Sequence, residues 1–537
     1  MEEKKEVMTD TTNENTELEQ KPKKGKRVVF VIILIILIIA LVGLYFYFNN
    51  NKKKEDTKVD TDKKDVSKYV LKDNSLQDFD LRFLQLENKE ENKIYSPLSI
   101  KYTLGMLNEG TKGETHSQIS NIIGEYKANK YVNSQNMSFA NAMFVKEAYK
   151  DQVRPEYIEA IQNKYGAEVQ YDPFTTASNV NQWISQKTLG LINNMLDDET
   201  VQSLDYMLVN ALGIDMQWVY NLQAEPNGGE NIYYDVDYQY ENYSDNIVPI
   251  DGGGYPSLGF NGSTKESKAV QIGASFNRYD IIKDLGEDGI KKKVAEEFNK
   301  YKASEECTGE YKMDDCDISV EEMQQKYLEG LKQNYGKEDI STDFLLNDTE
   351  NEKVFAKNLR EYNGTTLQYV AIMPKQEKLT DYVDKMDANK ISGLITDLKE
   401  LKANNFKDGV VTQITGFIPL FNFEYDLDLM NDLKDMGVKD VFDSNKADLS
   451  GLSKGDSVIV EAKHKANIEF SNMGIKASAV TMMGGVGAAG AGFNYEFDVP
   501  VEVIDITFDK PYMFLIRDVA TGEVWFVGTV YQPIDKE

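Results

Sequence analysis

Apolar and polar positions sort this chain into stretches with distinct periods. Residues 28–48, VVFVIILIILIIALVGLYFYF, are uncharged and mostly apolar, long enough to cross the hydrocarbon core of a bilayer as a helix. Period-two alternation predicts a strand over residues 137–145, MSFANAMFV. Helical spacing places Val180, Ile184, Leu191 and Met195 on one face of a helix over 179–195, and Ile290, Val294 and Phe298 on one face over 289–301. A mixed apolar pattern, Phe79, Leu81, Phe83, Leu84 and Leu86, fits a first helix. Near the C-terminus, residues 474–494 carry no charge after Lys476, and no proline occurs between Pro419 and Pro500. The first half of that stretch alternates, with Ile475, Ala477, Ala479 and Thr481 on one side and Lys476, Ser478, Val480 and Met482 on the other. Its second half is mostly glycine and alanine, so a strand and a flexible linker are both open.

Charge refines this picture. The formal net charge of −29 and pI of about 4.6 argue against a nucleic-acid surface and a heparin-type polyanion, which need clustered Lys and Arg. Lys21, Lys23, Lys24, Lys26 and Arg27 precede the apolar run, whereas Lys52, Lys53 and Lys54 after it are soon offset by Glu55 and Asp56. That asymmetry predicts a cytoplasmic disordered tail over 1–27, a transmembrane helix over 28–48, a linker over 49–68 and a folded extracellular domain over 69–537. The expected localisation is single-pass in the cell membrane. Two cysteines cannot form a disulfide framework, but on the oxidising side Cys307 and Cys316 are expected to form one local bridge.

Candidate chemistry is sparse. Gly451-Leu452-Ser453-Lys454-Gly455 matches a nucleophile elbow, yet no buried strand leads into the serine and no helical pattern follows it. Only His116 and His464 could serve as imidazole bases. There is no HExxH, no CxxC pair and no EF-hand loop, and Gly252-Gly253-Gly254 lacks the Lys and Ser or Thr of a P-loop. Neither an enzyme nor a cofactor is expected.

Several separated motifs, in order, carry a family resemblance. Ser96-Pro97-Leu98-Ser99-Ile100 is followed by Gly110-Thr111-Lys112-Gly113; Leu208-Val209-Asn210-Ala211 precedes Trp218; His464-Lys465-Ala466 leads to Gly474; and residues 508–518, FDKPYMFLIRD, precede Trp525-Phe526-Val527-Gly528. This resembles a serpin, interrupted over 219–352 by a family-atypical insertion and lengthened before Phe508. The usual aromatic and Lys-Gly are missing between Gly213 and Gln217. The resemblance implies an α+β fold of three β-sheets and about eight or nine helices with an exposed reactive loop. It implies a hinge at Gly474, Ile475, Lys476, Ala477, Ser478, Ala479, Val480 and Thr481, and, by the family's count, a scissile bond between Ala488 and Ala489. It also implies a shutter and breach region formed by Ser96, Ser99, Asn210, Trp218 and His464. The expected partner is a serine protease of elastase type or a papain-like cysteine protease, trapped as the cleaved loop enters the central sheet. The alternative is a serpin-fold surface binding protein that does not inhibit.

Overall fold

The structure, a computed structural model, describes residues 69–219, 221–222, 247–248, 257–262, 266–275, 285–309, 312–333, 344–401, 410–475, 493, 495, 497 and 500–534. The chain divides into two units, Met1–Lys64, wholly outside the described residues, and Asp65–Glu537, which holds all of them. The membrane localisation expected above is corrected. No helix among the described residues is long and apolar enough to cross a membrane, and the stretch 28–48 that carried the expectation lies outside them.

The described strands are, in chain order, β1 (Lys93–Tyr95), β2 (Met137–Lys146), β3 (Glu168–Asp172), β4 (Tyr206–Ile214), β5 (Met216–Gln217), β6 (Ile247–Val248), β7 (Ser257–Gly259), β8 (Glu266–Ser275), β9 (Phe344–Asp348), β10 (Glu352–Asn358), β11 (Leu367–Pro374), β12 (Lys399–Glu400), β13 (Val411–Pro419), β14 (Phe421–Asp428), β15 (Lys463–Phe470), β16 (Gly474–Ile475), β17 (Val501–Asp505), β18 (Tyr512–Asp518) and β19 (Val524–Val530). They form a seven-stranded sheet, β1-β19-β18-β11-β10-β9-β12, and a five-stranded one, β17-β13-β8-β7-β6. Two smaller sheets, β14-β15-β16-β5 and β3-β2-β4, complete the described set. In the seven-stranded sheet the strands β11 and β18 are covered on both faces. Tyr369, Ala371 and Met373 of β11, with Tyr512, Phe514 and Ile516 of β18, feed one core, while Val370, Ile372, Met513 and Leu515 feed another on the opposite face. An unbroken apolar run is what a strand covered on both sides requires.

Two expectations differ from what is found. Among the described residues there are four sheets rather than three, because the central one is divided between β4 and β15, and twelve α-helices rather than eight or nine, several of them only one or two turns long. The helix expected over 179–195 stops at Lys187, as Ser178–Lys187. Leu189 and Gly190 take φ of 55° and 79°, a left-handed step that ends the helical ladder, while the Thr188 hydroxyl donates to Ile184 O and accepts the Ile192 N–H. The chain beyond runs across the face of β4. It lies so close that a side chain on Gly213 would put its Cβ 2.7 Å from the Thr188 backbone carbon. This explains a glycine where the family pattern has an aromatic residue.

Candidate functional site

Strands β4 and β15 lie beside one cavity, and no ladder joins them. The cavity, about 380 Å³, is walled by Val209 on one side and Ile468 on the other. Helix Pro97–Glu109 supplies Ser99 and Thr103 beneath, and Thr188 and Ile192 cover it. That helix starts where local chemistry demands, with Pro97 in its first turn and Ser96 Oγ accepting the Ser99 N–H at 3.1 Å.

Gly474 and Ile475, the first two residues of the expected hinge, close one end of the slot. Gly474 pairs with Gln217, and Ile475 pairs with Met216 on one side and Phe470 on the other, so β16 bridges β5 and β15. Gly474 and Ile475 are therefore already laid into the sheet, and Ile475 is only 2% exposed. A Cβ on Gly474 would lie 2.2 Å from Met216 O, so this pairing requires glycine. The turn between β15 and β16 is built on Trp218, which is wholly buried among Tyr369 and Phe470. Its ring N–H donates to Ser471 O at 3.0 Å and its backbone N–H to Met473 O at 2.9 Å.

Farther along the slot its polar groups converge without touching across it. The Ser96 N–H donates to His464 Nε2 at 2.9 Å, which requires a neutral ring at that nitrogen. His464 keeps some exposed surface along the slot, yet its ring is enclosed by protein, and burial pushes its pKa down to about 4. On the far wall, Asn210 Nδ2 donates to Asn141 Oδ1 at 2.7 Å, and Asn141 Nδ2 in turn donates to Tyr165 O at 2.8 Å. This relay fixes which end of the Asn210 amide is left over. Asn210 Oδ1 is buried without a hydrogen-bond partner.

Of the other residues singled out in the sequence, Lys476, Ala477, Ser478, Ala479, Val480, Thr481, Ala488 and Ala489 lie outside the described residues. Cys307 and Cys316 are disulfide-bonded, with Cα atoms 5.3 Å apart. Ser453 is 1% exposed and its hydroxyl is held by Gly455 O at 2.9 Å and Tyr149 OH at 2.7 Å, where it closes a turn. Sequence reasoning passed over Phe493, Tyr495 and Phe497, which pack onto the helices Gly286–Lys302 and Val320–Gln333. Their every-second-residue spacing was the available signal.

Residues 75–234 and 343–533 match the family model described as serpin (serine protease inhibitor). An uncharacterized serpin-like protein of Methanosarcina acetivorans is 23% identical over 481 residues, covering 85% of this chain and 86% of its own length. The human leukocyte elastase inhibitor is 24% identical over 477 residues, covering 84% and 96%. Among solved structures, the thermophilic serpin tengpin in its native state shares the fold, with a TM-score of 0.54 at 19% identity over 85% of this chain and 92% of that one.

Proposed function

Because this chain belongs to the serpin family, whose members bind target proteases and are mostly inhibitors rather than catalysts, we propose that it inhibits a protease by loop cleavage and strand insertion. One observation carries the reading: a slot open between β4 and β15 whose end is bridged by the first two residues of the hinge. The target's nucleophile attacks the carbonyl at Ala488–Ala489, the Ala489 amine leaves, and the acyl-linked limb behind Ile475 enters the slot before water releases the protease. A relative that inhibits leukocyte elastase and small residues at the expected bond both favour an elastase-like serine protease over a papain-like cysteine protease.

The register of β16 dictates where the following residues would land. Continuing the antiparallel pairing of Ile475 with Phe470 sets Lys476 opposite Glu469, Ala477 opposite Ile468, Ala479 opposite Ala466 and Thr481 opposite His464. On the other wall, the pairing of Ile475 with Met216 sets Ala477 opposite Ile214, Ala479 opposite Leu212 and Thr481 opposite Asn210. The positively charged Lys476 gains a cross-strand carboxylate. Small side chains meet the buried face, and the Thr481 hydroxyl arrives between His464 and the unpaired Asn210 Oδ1, where it can donate to the latter. At about 24 cal/mol per Å³ of cavity, filling the slot is worth at most about 9 kcal/mol, before any net gain of about 1 kcal/mol per new ladder hydrogen bond.

Titration against an elastase-like protease tests this. An SDS-stable one-to-one adduct and a released fragment beginning at Ala489 are expected. Clean cleavage without an adduct, across serine and cysteine proteases, would instead favour a serpin-fold binding protein.

A further inference from the structure

Between Gly474 and Val501 the sequence has three aromatic residues, Phe493, Tyr495 and Phe497. All three pack on the helices Gly286–Lys302 and Val320–Gln333, which lie outside both stretches that match the family. Ile290, Val294, Phe298, Met323 and Leu328 form a small core, and Phe497, 5% exposed, completes it. Phe493 stands edge-on to Phe298 with centroids 4.8 Å apart and meets Tyr301 at 5.4 Å, while Tyr495 lies against Tyr327 at 6.4 Å. Two main-chain donors are taken up as well: the Phe493 N–H donates to Asp315 Oδ2 at 3.0 Å and the Tyr495 N–H to the Tyr327 hydroxyl at 3.1 Å. Asp315 immediately precedes Cys316, and the Cys307–Cys316 bridge closes the turn that presents its carboxylate.

We propose that this disulfide-closed helical pair is a shield that withdraws the loop's aromatic residues from aromatic-preferring proteases, and so helps to set which class of protease can spend the inhibitor. The inference rests on the chain after Ile475 being the loop that a target cuts. A protease binds its substrate as an extended strand, taking the side chain before the scissile bond into a pocket and pairing with the main chain beside it. A large apolar ring fills such a pocket well, so Phe493, Tyr495 and Phe497 would each mark a bond for an aromatic-preferring enzyme. Here the three rings already sit in another core, and the N–H groups of Phe493 and Tyr495 already have acceptors. Cleavage after them therefore waits on local opening, and its rate follows the small fraction of open chain. The expected bond at Ala488–Ala489 is flanked by small residues and needs no such ring. The distinction matters because the loop is spent by a single cut. Water added across the Phe493–Asn494 bond would leave a carboxylate on Phe493 and an amine on Asn494, consuming a molecule before its target arrived.

The test digests the full chain with chymotrypsin and follows by mass spectrometry the new ends at Phe493, Tyr495 and Phe497, with a synthetic peptide of residues 488–500 as the unshielded reference. These bonds should be cut at least tenfold more slowly in the full chain than in the peptide. The Cys307→Ser/Cys316→Ser double variant and Asp315→Ala should each speed cleavage after Phe493 at least tenfold, while cleavage at Ala488–Ala489 by an elastase-like protease stays unchanged. Equal rates in the full chain and the peptide would overturn the shield, and so would unchanged rates in both variants. The first comparison needs no variant, so it stands even where a substitution disturbs folding. An elastase-like protease that leaves no adduct would count against the inhibitory reading alone, because the three aromatic bonds are mapped without it.

Discussion

His464 and Asp432 pull the stability of this protein in opposite directions as pH changes. Burial lowers the imidazole to about 4 from an ordinary 6.5, so the folded state binds that proton less readily than the unfolded chain. Its contribution is intact above about 6.5 and is lost as pH falls towards 4, a loss of up to about 3 kcal/mol. Asp432 is the mirror case. Burial first, then the carboxylates of Glu87 and Asp428, raise it to about 7, so its contribution is intact below 3.8 and is lost as pH rises through 7. Over the shared window the two slopes offset one another in the intact protein. Replacing His464 by Gln should uncover the Asp432 slope, and urea melts at several pH values should show the stability difference between the two proteins changing by up to about 3 kcal/mol between pH 7 and pH 4. A difference independent of pH would mean that the His464 ring titrates normally. Protonation would also cost His464 the lone pair that accepts the Ser96 N–H, so acid weakens a contact at the floor of the slot.

Among the elements, the alternation of residues 475–481 is the feature with most consequence, because it decides which side chains face the buried side of the inserted strand. Ala479 would sit between Ala466, 3% exposed, and Leu212, 8% exposed. Ala479→Glu would place a carboxylate there, at a cost of several kcal/mol. The variant should still be cut near Ala488 but release active protease, with the stoichiometry of inhibition rising at least tenfold; an unchanged stoichiometry would show that residue 479 never enters the sheet. Much of this was legible beforehand, since period two in MSFANAMFV and period 3.6 at Ile290, Val294 and Phe298 are direct statements about one buried face. The end of the helix at Lys187 was not. Ile192 lies in the same core as Ile184, so the apolar spacing continued past the break and outweighed Gly190, whose φ of 79° makes it the stop signal that the sequence did carry. Phe493, Tyr495 and Phe497 were hidden for a different reason, as their partners lie more than 160 residues upstream.

For the whole molecule, the divided central sheet predicts that the intact protein is not at its free-energy minimum. With about 2.1 cal/mol/K of unfolding entropy per residue, filling a slot worth on the order of 10 kcal/mol should raise the melting temperature by on the order of 10 °C once the loop is cut. Differential scanning calorimetry of intact and cleaved protein checks it, and coincident melts would sink the insertion mechanism. The division also explains why sequence suggested fewer sheets than are found: β4 and β15 each carry the pattern of a sheet interior, and no sequence signal records that their neighbour is missing. The bridge at Gly474 and Ile475 has a kinetic meaning as well. Trapping is a race between strand growth and hydrolysis of the acyl bond, and strand growth ordinarily waits on a first pairing that closes a loop for little return. Here that pairing exists in the intact chain. On the proposed mechanism, growth would be a zipper started at its first teeth, and the cover at Thr188 and Ile192, rather than a search for the starting register, is what would have to yield.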